Sequence, residues 1–467
     1  MTPGAFAALP AATARPDLVP GLVPGLAPGL VPGLLPAHGV GSREDLPLPF
    51  TLLLVGAGLA LVVSFVALGL LWKQPRLDAR DGRLLPMPVA LALDSAAVRG
   101  LVVILSLAIT AWTLLALVFG KDDANNPVPS VVYVWLWVGL AFLSMVFGGI
   151  WRLLNPVRWI RAGILRAARI DDDFALLDYR LGYWPAATGL LAFAWLELIA
   201  PDNADQPVLR IAVLGYLIVS IVLALTFGTP YLRRGDPFTS WSALYGTLSP
   251  LGRRADGRWV LRTPLHGPLQ LDAAPGLLAV TSVMLGTTAY DGFSGETRWY
   301  TFVQSSSLPA RLWETGALVT FSLVVAASLY AAAVLSARLA GVSVRGIATA
   351  FAPSLIPIAA GYLVAHYWSL WVWEGTNGLA KMSDPLGTGA NWLGTAGVSP
   401  SAALIAPGLV AGIQVVAIIT GHVLGVVAAH ERAITLFPRR AAVLGQVPLL
   451  VLMVGYTVGG LTLLFSS

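Results

Sequence analysis

Residues Thr51 to Leu71 read TLLLVGAGLALVVSFVALGLL, 21 positions without a charged side chain. As a helix rising 1.5 Å per residue this run is about 31 Å long, the thickness of a bilayer's hydrocarbon core. It is apolar in every phase instead of alternating, so it reads as a helix surrounded by lipid or protein and not as a strand with one wet face. The same test carried along the chain gives ten spans: roughly Thr51 to Leu71, Leu101 to Phe119, Val131 to Ile150, Leu181 to Ala200, Val208 to Phe227, Pro275 to Tyr290, Thr315 to Leu335, Ile347 to Val372, Ile405 to Ala428 and Val443 to Phe465. The sixth is the shortest. At about 24 Å it must borrow flanking residues, tilt little, or be sheltered by its neighbours.

The expected fold is therefore all-α, a polytopic transmembrane helix bundle of about ten spans, with residues 51–467 forming one domain behind a tail of residues 1–50. Composition agrees: of 467 residues, 57% are hydrophobic and only 11% charged, and the mean hydropathy is +0.76. An ordinary soluble protein is ruled out. Because the chain has no cysteine, disulfides, thiolate metal sites, iron–sulfur clusters and a cysteine nucleophile are ruled out too.

The formal net charge of +5 would suggest nucleic acid in a soluble protein, but the basic residues follow the loops. Of 29 lysines and arginines, 22 fall in alternate loops, around Lys73 to Arg99, Arg152 to Arg180, Arg233 to Arg262, Arg338 to Arg345 and Arg432 to Arg440. Cytoplasmic loops retain basic residues, so these face inward and both termini lie outside. The partner implied is the lipid bilayer of a bacterial cell, with no nucleic acid. Arginine outnumbers lysine 26 to 3, a bias expected of a GC-rich bacterial genome.

Three segments outside the spans have their own character. Residues 18–36, LVPGLVPGLAPGLVPGLLP, repeat proline every four positions, which prevents a helix and predicts a flexible extracytoplasmic tail. From Asn155 to Ile170, NPVRWIRAGILRAARI intersperses arginines with apolar residues, as expected of a helix lying in the inner headgroup layer. Between Arg254 and Pro264 a DG pair separates short strand-like pieces and predicts a hairpin.

Soluble catalytic motifs are absent. There is no phosphate loop and no G-x-S-x-G elbow, and His430-Glu431 is not a zinc-protease helix because Ile434 stands where the second histidine belongs. The run Asp171-Asp172-Asp173 has no partner motif and reads as a solvated loop. What remains are ionisable residues inside the spans, which are costly in lipid and default to function. Glu197 in WLEL, Asp291 in TTAYDGF and His366 in GYLVAHYWSLW all fall in the outer half, within about 10 Å of one level. Two carboxylates and an imidazole suit a divalent ion such as zinc or copper, and equally acid–base work on a polar substrate. The bland alternative leaves the carboxylates in headgroup water and gives His366 one interhelical hydrogen bond.

Around His366, Pro353 and Pro357 should break the inner half of the eighth span. The aromatic residues Tyr362, Tyr367, Trp368, Trp371 and Trp373 read as a headgroup belt. His422 sits between Gly421 and Gly425, with Gly408 and Gly412 as a second small pair, which points to close helix packing. His38 directly follows the repeat on the outside; if cleavage made it the first residue, its amine and imidazole could chelate copper.

The strings AHGVGSREDLPLPFTLLLVGAGLALVVSFVALGLLW, WPAATGLLAFAWLEL, MLGTTAYDGF and PSLIPIAAGYLVAHYWSLW resemble a family of actinobacterial integral membrane proteins often labelled fenitrothion hydrolase. The resemblance spans about residues 37 to 467, and its motifs contain His38, Glu197, Asp291 and His366. It implies hydrolysis of an organophosphate-type ester. Where that family begins with an ordinary hydrophobic signal before its AHG motif, this chain has the Pro-Gly repeat.

Three readings of different classes follow. In the first, Glu197, Asp291, His366 and His38 hold a divalent metal that activates water for ester hydrolysis. In the second, the same residues bind or gate a polar solute or ion in a transporter or accessory subunit. A structural role, with the glycine seams contacting a membrane-protein partner or a second copy, is the third.

Overall fold

The computed structural model describes residues 49–77, 82–254 and 256–465. The expectations for the Pro-Gly repeat and for His38 lie outside them. Apolar runs without internal breakers close their backbone hydrogen bonds within the run, so the chain is built almost wholly of helices. In order these are α1 (Phe50–Leu71), α2 (Met87–Leu93) and α3 (Ala96–Phe119), then a π-helix over Ser130–Gly139 that continues as α4 (Leu140–Phe147). Next come α5 (Trp151–Leu154), α6 (Pro156–Ala167), α7 (Trp184–Leu198), α8 (Gln206–Arg234), α9 (Pro237–Tyr245) and α10 (His266–Leu269). The second half holds α11 (Leu277–Ser294), α12 (Thr297–Ser305), α13 (Ala310–Ala340), α14 (Ile347–Phe351), α15 (Leu355–Lys381), α16 (Pro407–Leu436) and α17 (Val447–Leu464).

The fold is an all-α polytopic bundle. Among the described residues eight helices are long and apolar enough to cross a membrane. The two sequence-read spans that fall short are α7, with 15 residues, and α11, with 18. The two pack on each other. Twelve of the residues of α11 are buried, which is the sheltering its short run requires. Its threonines lower the hydropathy, yet Thr281, Thr287 and Thr288 return their hydroxyls to the carbonyls of Leu277, Val283 and Met284 one turn back. At Gly286 a Cβ would come within 2.5 Å of the Cα of Ser322, so the glycine sets the close approach of α11 to α13.

Burial separates centre from rim. In the stretch Ile347 to Lys381, 83% of the apolar window is buried, against 17% for α1 and for α3. Helix α15 is thus the bundle's axis, packed along α16, α11 and the π-helix. Its proline break is as expected: a 3₁₀ turn over Ala352–Ser354 separates α14 from α15. The Ser354 hydroxyl donates to the carbonyl of Phe351 at 2.7 Å, satisfying one of the groups the break releases. The glycine seam falls on the same helix pair. A Cβ at Gly421 would sit 2.6 Å from the carbonyl oxygen of Pro357, and one at Gly361 would sit 2.4 Å from that of Ala417. Gly408 and Gly412 meet nothing within 4 Å, so the second small pair does not mediate packing among the described residues.

The predicted hairpin is present: β2 (Leu251–Arg253) pairs antiparallel with β3 (Trp259–Leu261), with Gly252 opposite Val260. A further strand, β1 (Arg83–Leu84), adds to the other side of β3. The arginine-rich stretch after Asn155 is the helix α6, whose start the Asn155 side chain caps by accepting from the backbone N–H of Val157 at 2.9 Å.

Candidate functional site

Three elements bring the candidate residues into the interior. Asp291 lies one turn before the end of α11, Glu197 lies in the last turn of α7, and His366 lies mid-way along α15. Relative exposures are 5% for Asp291, 9% for Glu197 and 3% for His366, so none stands in headgroup water. The bland reading of solvated carboxylates is overturned by this burial.

Asp291 and His366 meet directly. The ring Nε2 of His366 is 3.0 Å from Asp291 Oδ2, and the same oxygen accepts a hydrogen bond from the Tyr367 hydroxyl at 2.7 Å. Two successive residues of α15 thus converge on one carboxylate oxygen of α11. The Tyr362 ring, one turn before His366, stacks on the imidazole at 6.0 Å between centroids and 10° between planes. Gly292 makes room for it, since a Cβ there would lie 2.6 Å from the Tyr362 hydroxyl.

Glu197 borders this cluster without joining it. Its carboxylate is near enough to feel the charge of Asp291, and its Oε2 is buried with no hydrogen-bond partner among the described residues. Asn203 donates to the Glu197 backbone carbonyl, and the Tyr133 hydroxyl of the π-helix donates to the carbonyl of Asn203 at 2.7 Å, which fixes the end of α7. Among the described residues no three His, Asp or Glu side chains form a group able to hold a metal ion. Zinc and copper sites need at least three protein donors. The Asp291 and His366 pair supplies two of the right type, and His38, the further expected ligand, lies outside the described residues. Two cavities of about 680 and 1120 Å³ lie elsewhere, and neither is lined by Glu197, Asp291 or His366.

His422 and His430 serve the framework. His422 is 1% exposed, and its Nδ1 is 2.8 Å from the carbonyl of Ile418 on its own helix, so it packs as read. His430 spans Gln446 Oε1 and the Trp72 carbonyl at 2.9 Å each. Beside it, Glu431 accepts from the Trp72 indole at 2.7 Å and from the backbone N–H groups of Arg76 and Leu77 at 2.6 and 2.8 Å. That buried carboxylate clamps the end of α1 to α16.

Sequence reasoning missed Tyr367 and Tyr362. Assigned to a headgroup belt, they are 1% and 2% exposed, whereas Trp373 at 45% fits the belt. The available signal was adjacency: a tyrosine next to a buried histidine needs a partner for its hydroxyl, and Asp291 was already a candidate. Compared with family models, curated proteins and solved structures, the chain has no significant match.

Proposed function

We propose that Asp291, His366 and Tyr367, with Glu197 beside them, form an acid–base centre reached from the extracytoplasmic side of an integral membrane protein of the bacterial cell membrane, and that it hydrolyses an ester of the organophosphate type. The observation that carries this reading is the 3.0 Å contact of His366 Nε2 with Asp291 Oδ2 inside the bundle. A carboxylate that holds an imidazole fixes its tautomer and orientation and stabilises the imidazolium formed when it accepts a proton. Tyr367 donates to the same oxygen and so keeps Asp291 in place as charge moves. If a zinc or copper ion is bound, Asp291 and His366 are its natural ligands, with His38 and Glu197 as further donors, and the ion would activate water. The outward assignment comes from the distribution of basic residues.

A second reading, a transporter or accessory subunit for a proton or cation, is favoured by the buried Glu197 Oε2 next to Asp291, since a cation would relieve the repulsion of two enclosed carboxylates. Purified protein in liposomes decides between them. The hydrolase reading expects turnover of a chromogenic phosphotriester that falls at least 100-fold in both H366A and D291N, with metal analysis showing whether an ion is lost with it. Cation or proton flux without turnover would reject it in favour of transport.

A further inference from the structure

A second polar site lies where α3, α5, α6 and the last turn of α8 meet, around a cavity of about 1120 Å³. Six arginines line it, Arg152, Arg158, Arg161, Arg166, Arg233 and Arg234, against three aspartates, Asp172, Asp173 and Asp272. Two of the arginines are held in place by several bonds or by a carboxylate. Arg161 is buried and donates to the carbonyls of Ala224, Asp172 and Phe174, and Arg234 reaches Asp272 at 3.5 Å. Among the described residues no carboxylate lies within 4.0 Å of Arg152, Arg158, Arg166 or Arg233. An Arg158 Nη donates to the Arg152 carbonyl at 2.8 Å. Enclosure by protein holds the Arg152 and Arg158 guanidinium groups below their ordinary range, and repulsion from Arg233 adds to it in both. Like charges gathered in one enclosed space raise the free energy until an anion enters.

The site is built before any ligand arrives. Asp236, fully buried, accepts from the backbone N–H of Thr239 at 2.7 Å, the Tyr216 hydroxyl at 2.9 Å and the Asn155 amide at 3.2 Å. Asn155 in turn caps α6, so the arginine-bearing helix is fastened to the start of α9. Before Arg233 and Arg234, α8 bends at Gly228, whose φ of 66° strains any residue with a side chain and where a Cβ would lie a tight 3.1 Å from the Phe174 carbonyl oxygen. The bend turns Arg233 and Arg234 toward the cavity.

The opposite wall is apolar and exposed on the rim of the bundle. Val103, Ile104 and Leu107 of α3 line the cavity, with Ile104 67% and Leu107 40% exposed. We propose that this site binds an anionic phospholipid, its phosphate among Arg152, Arg158 and Arg233 and its acyl chains along Val103, Ile104 and Leu107. The shared chemistry is a phosphate group; a free phosphate compound has no use for the apolar strip. The basic-residue distribution puts the site in the inner leaflet, where anionic headgroups meet basic pockets between helices.

The test is lipid binding by the purified full chain in a neutral detergent, read by native mass spectrometry and thermal shift. Phosphatidylglycerol, phosphatidylcholine with the same chains, and pyrophosphate are compared on wild type, R158Q and R152Q/R233Q. Phosphatidylglycerol alone should bind, and each arginine removed should weaken it about fivefold. Pyrophosphate binding with the same arginine dependence keeps the anion site and overturns the lipid occupant. Equal retention of the two lipids by wild type, or unchanged phosphatidylglycerol affinity in R158Q, overturns the site altogether. Should R152Q/R233Q fail to fold, the wild-type preference and R158Q decide alone.

Discussion

His366 on α15 and Asp291 on α11, 75 positions apart in the chain, share a 3.0 Å contact that ties the most buried of the candidate spans to the shortest of the runs read from the sequence. Asp291 Oδ2 also receives the Tyr367 hydroxyl, so one oxygen gathers two donors. Removing the acceptor should therefore cost more than removing either donor. Asp291→Ala is expected to destabilise by about 1–3 kcal/mol for each buried polar group left without its partner, and Tyr367→Phe by about 1 kcal/mol. In a double-mutant cycle, His366→Ala and Asp291→Ala should be strongly non-additive. Thermal unfolding in detergent measures both; additive losses would show that the contact carries no coupling.

Helices α7 and α11 decide whether the chain crosses ten times. If α7 crosses, a cysteine at Asp178 and one at Asp202 in this cysteine-free chain will react with an impermeant reagent from opposite sides of the membrane. A cysteine at Asp256 should be protected in intact cells and one at Gly389 labelled. Same-side labelling of positions 178 and 202 would reverse the sidedness of everything that follows and remove Glu197 from the outer half.

Helices such as α1 and α3 were legible because lipid-facing runs must be apolar all round, and their low burial is that same requirement seen in three dimensions. The shorter α7 and α11 were harder. Helix α7 is short, and the largely buried α11 carries three threonines and Asp291, which weakens the only signal a hydropathy reading has. The DG hairpin was visible through its turn chemistry, whereas β1, two residues long, has no pattern to read and exists only through its pairing with β3. Of the Asp291 and His366 centre, the residue types were readable, and the lateral meeting of the two was not. The arginine cavity shows the same limit: its residues were counted as loop charges, and their convergence from 152–166 and 233–234 is a property of the packing of α6 against α8.

The glycine pairs of α16 offer a clean contrast on one helix. Gly421→Ala would put a methyl 2.6 Å from the Pro357 carbonyl and force α15 and α16 apart, at a cost of about 1–3 kcal/mol. Gly412→Ala meets nothing within 4 Å and should be neutral to slightly stabilising. A loss at position 412 equal to that at 421 would mean that the second pair packs against another chain, which crosslinking in the membrane would then detect.

Glu197 separates the two functional readings most sharply, because its Oε2 is buried without a hydrogen-bond donor among the described residues and within electrostatic reach of Asp291. Glu197→Gln keeps shape and volume, removes one charge and supplies donors. If Glu197 only fills space, the substitution relieves repulsion and should raise the thermal midpoint with activity unchanged. If it holds a proton or cation for the centre, stability should still rise while turnover or flux falls at least tenfold, the trade expected when a strained charge is kept for function. Measured side by side on Glu197→Gln and Asp291→Asn, a gain in stability together with full activity in Glu197→Gln would confine the working centre to Asp291, His366 and Tyr367.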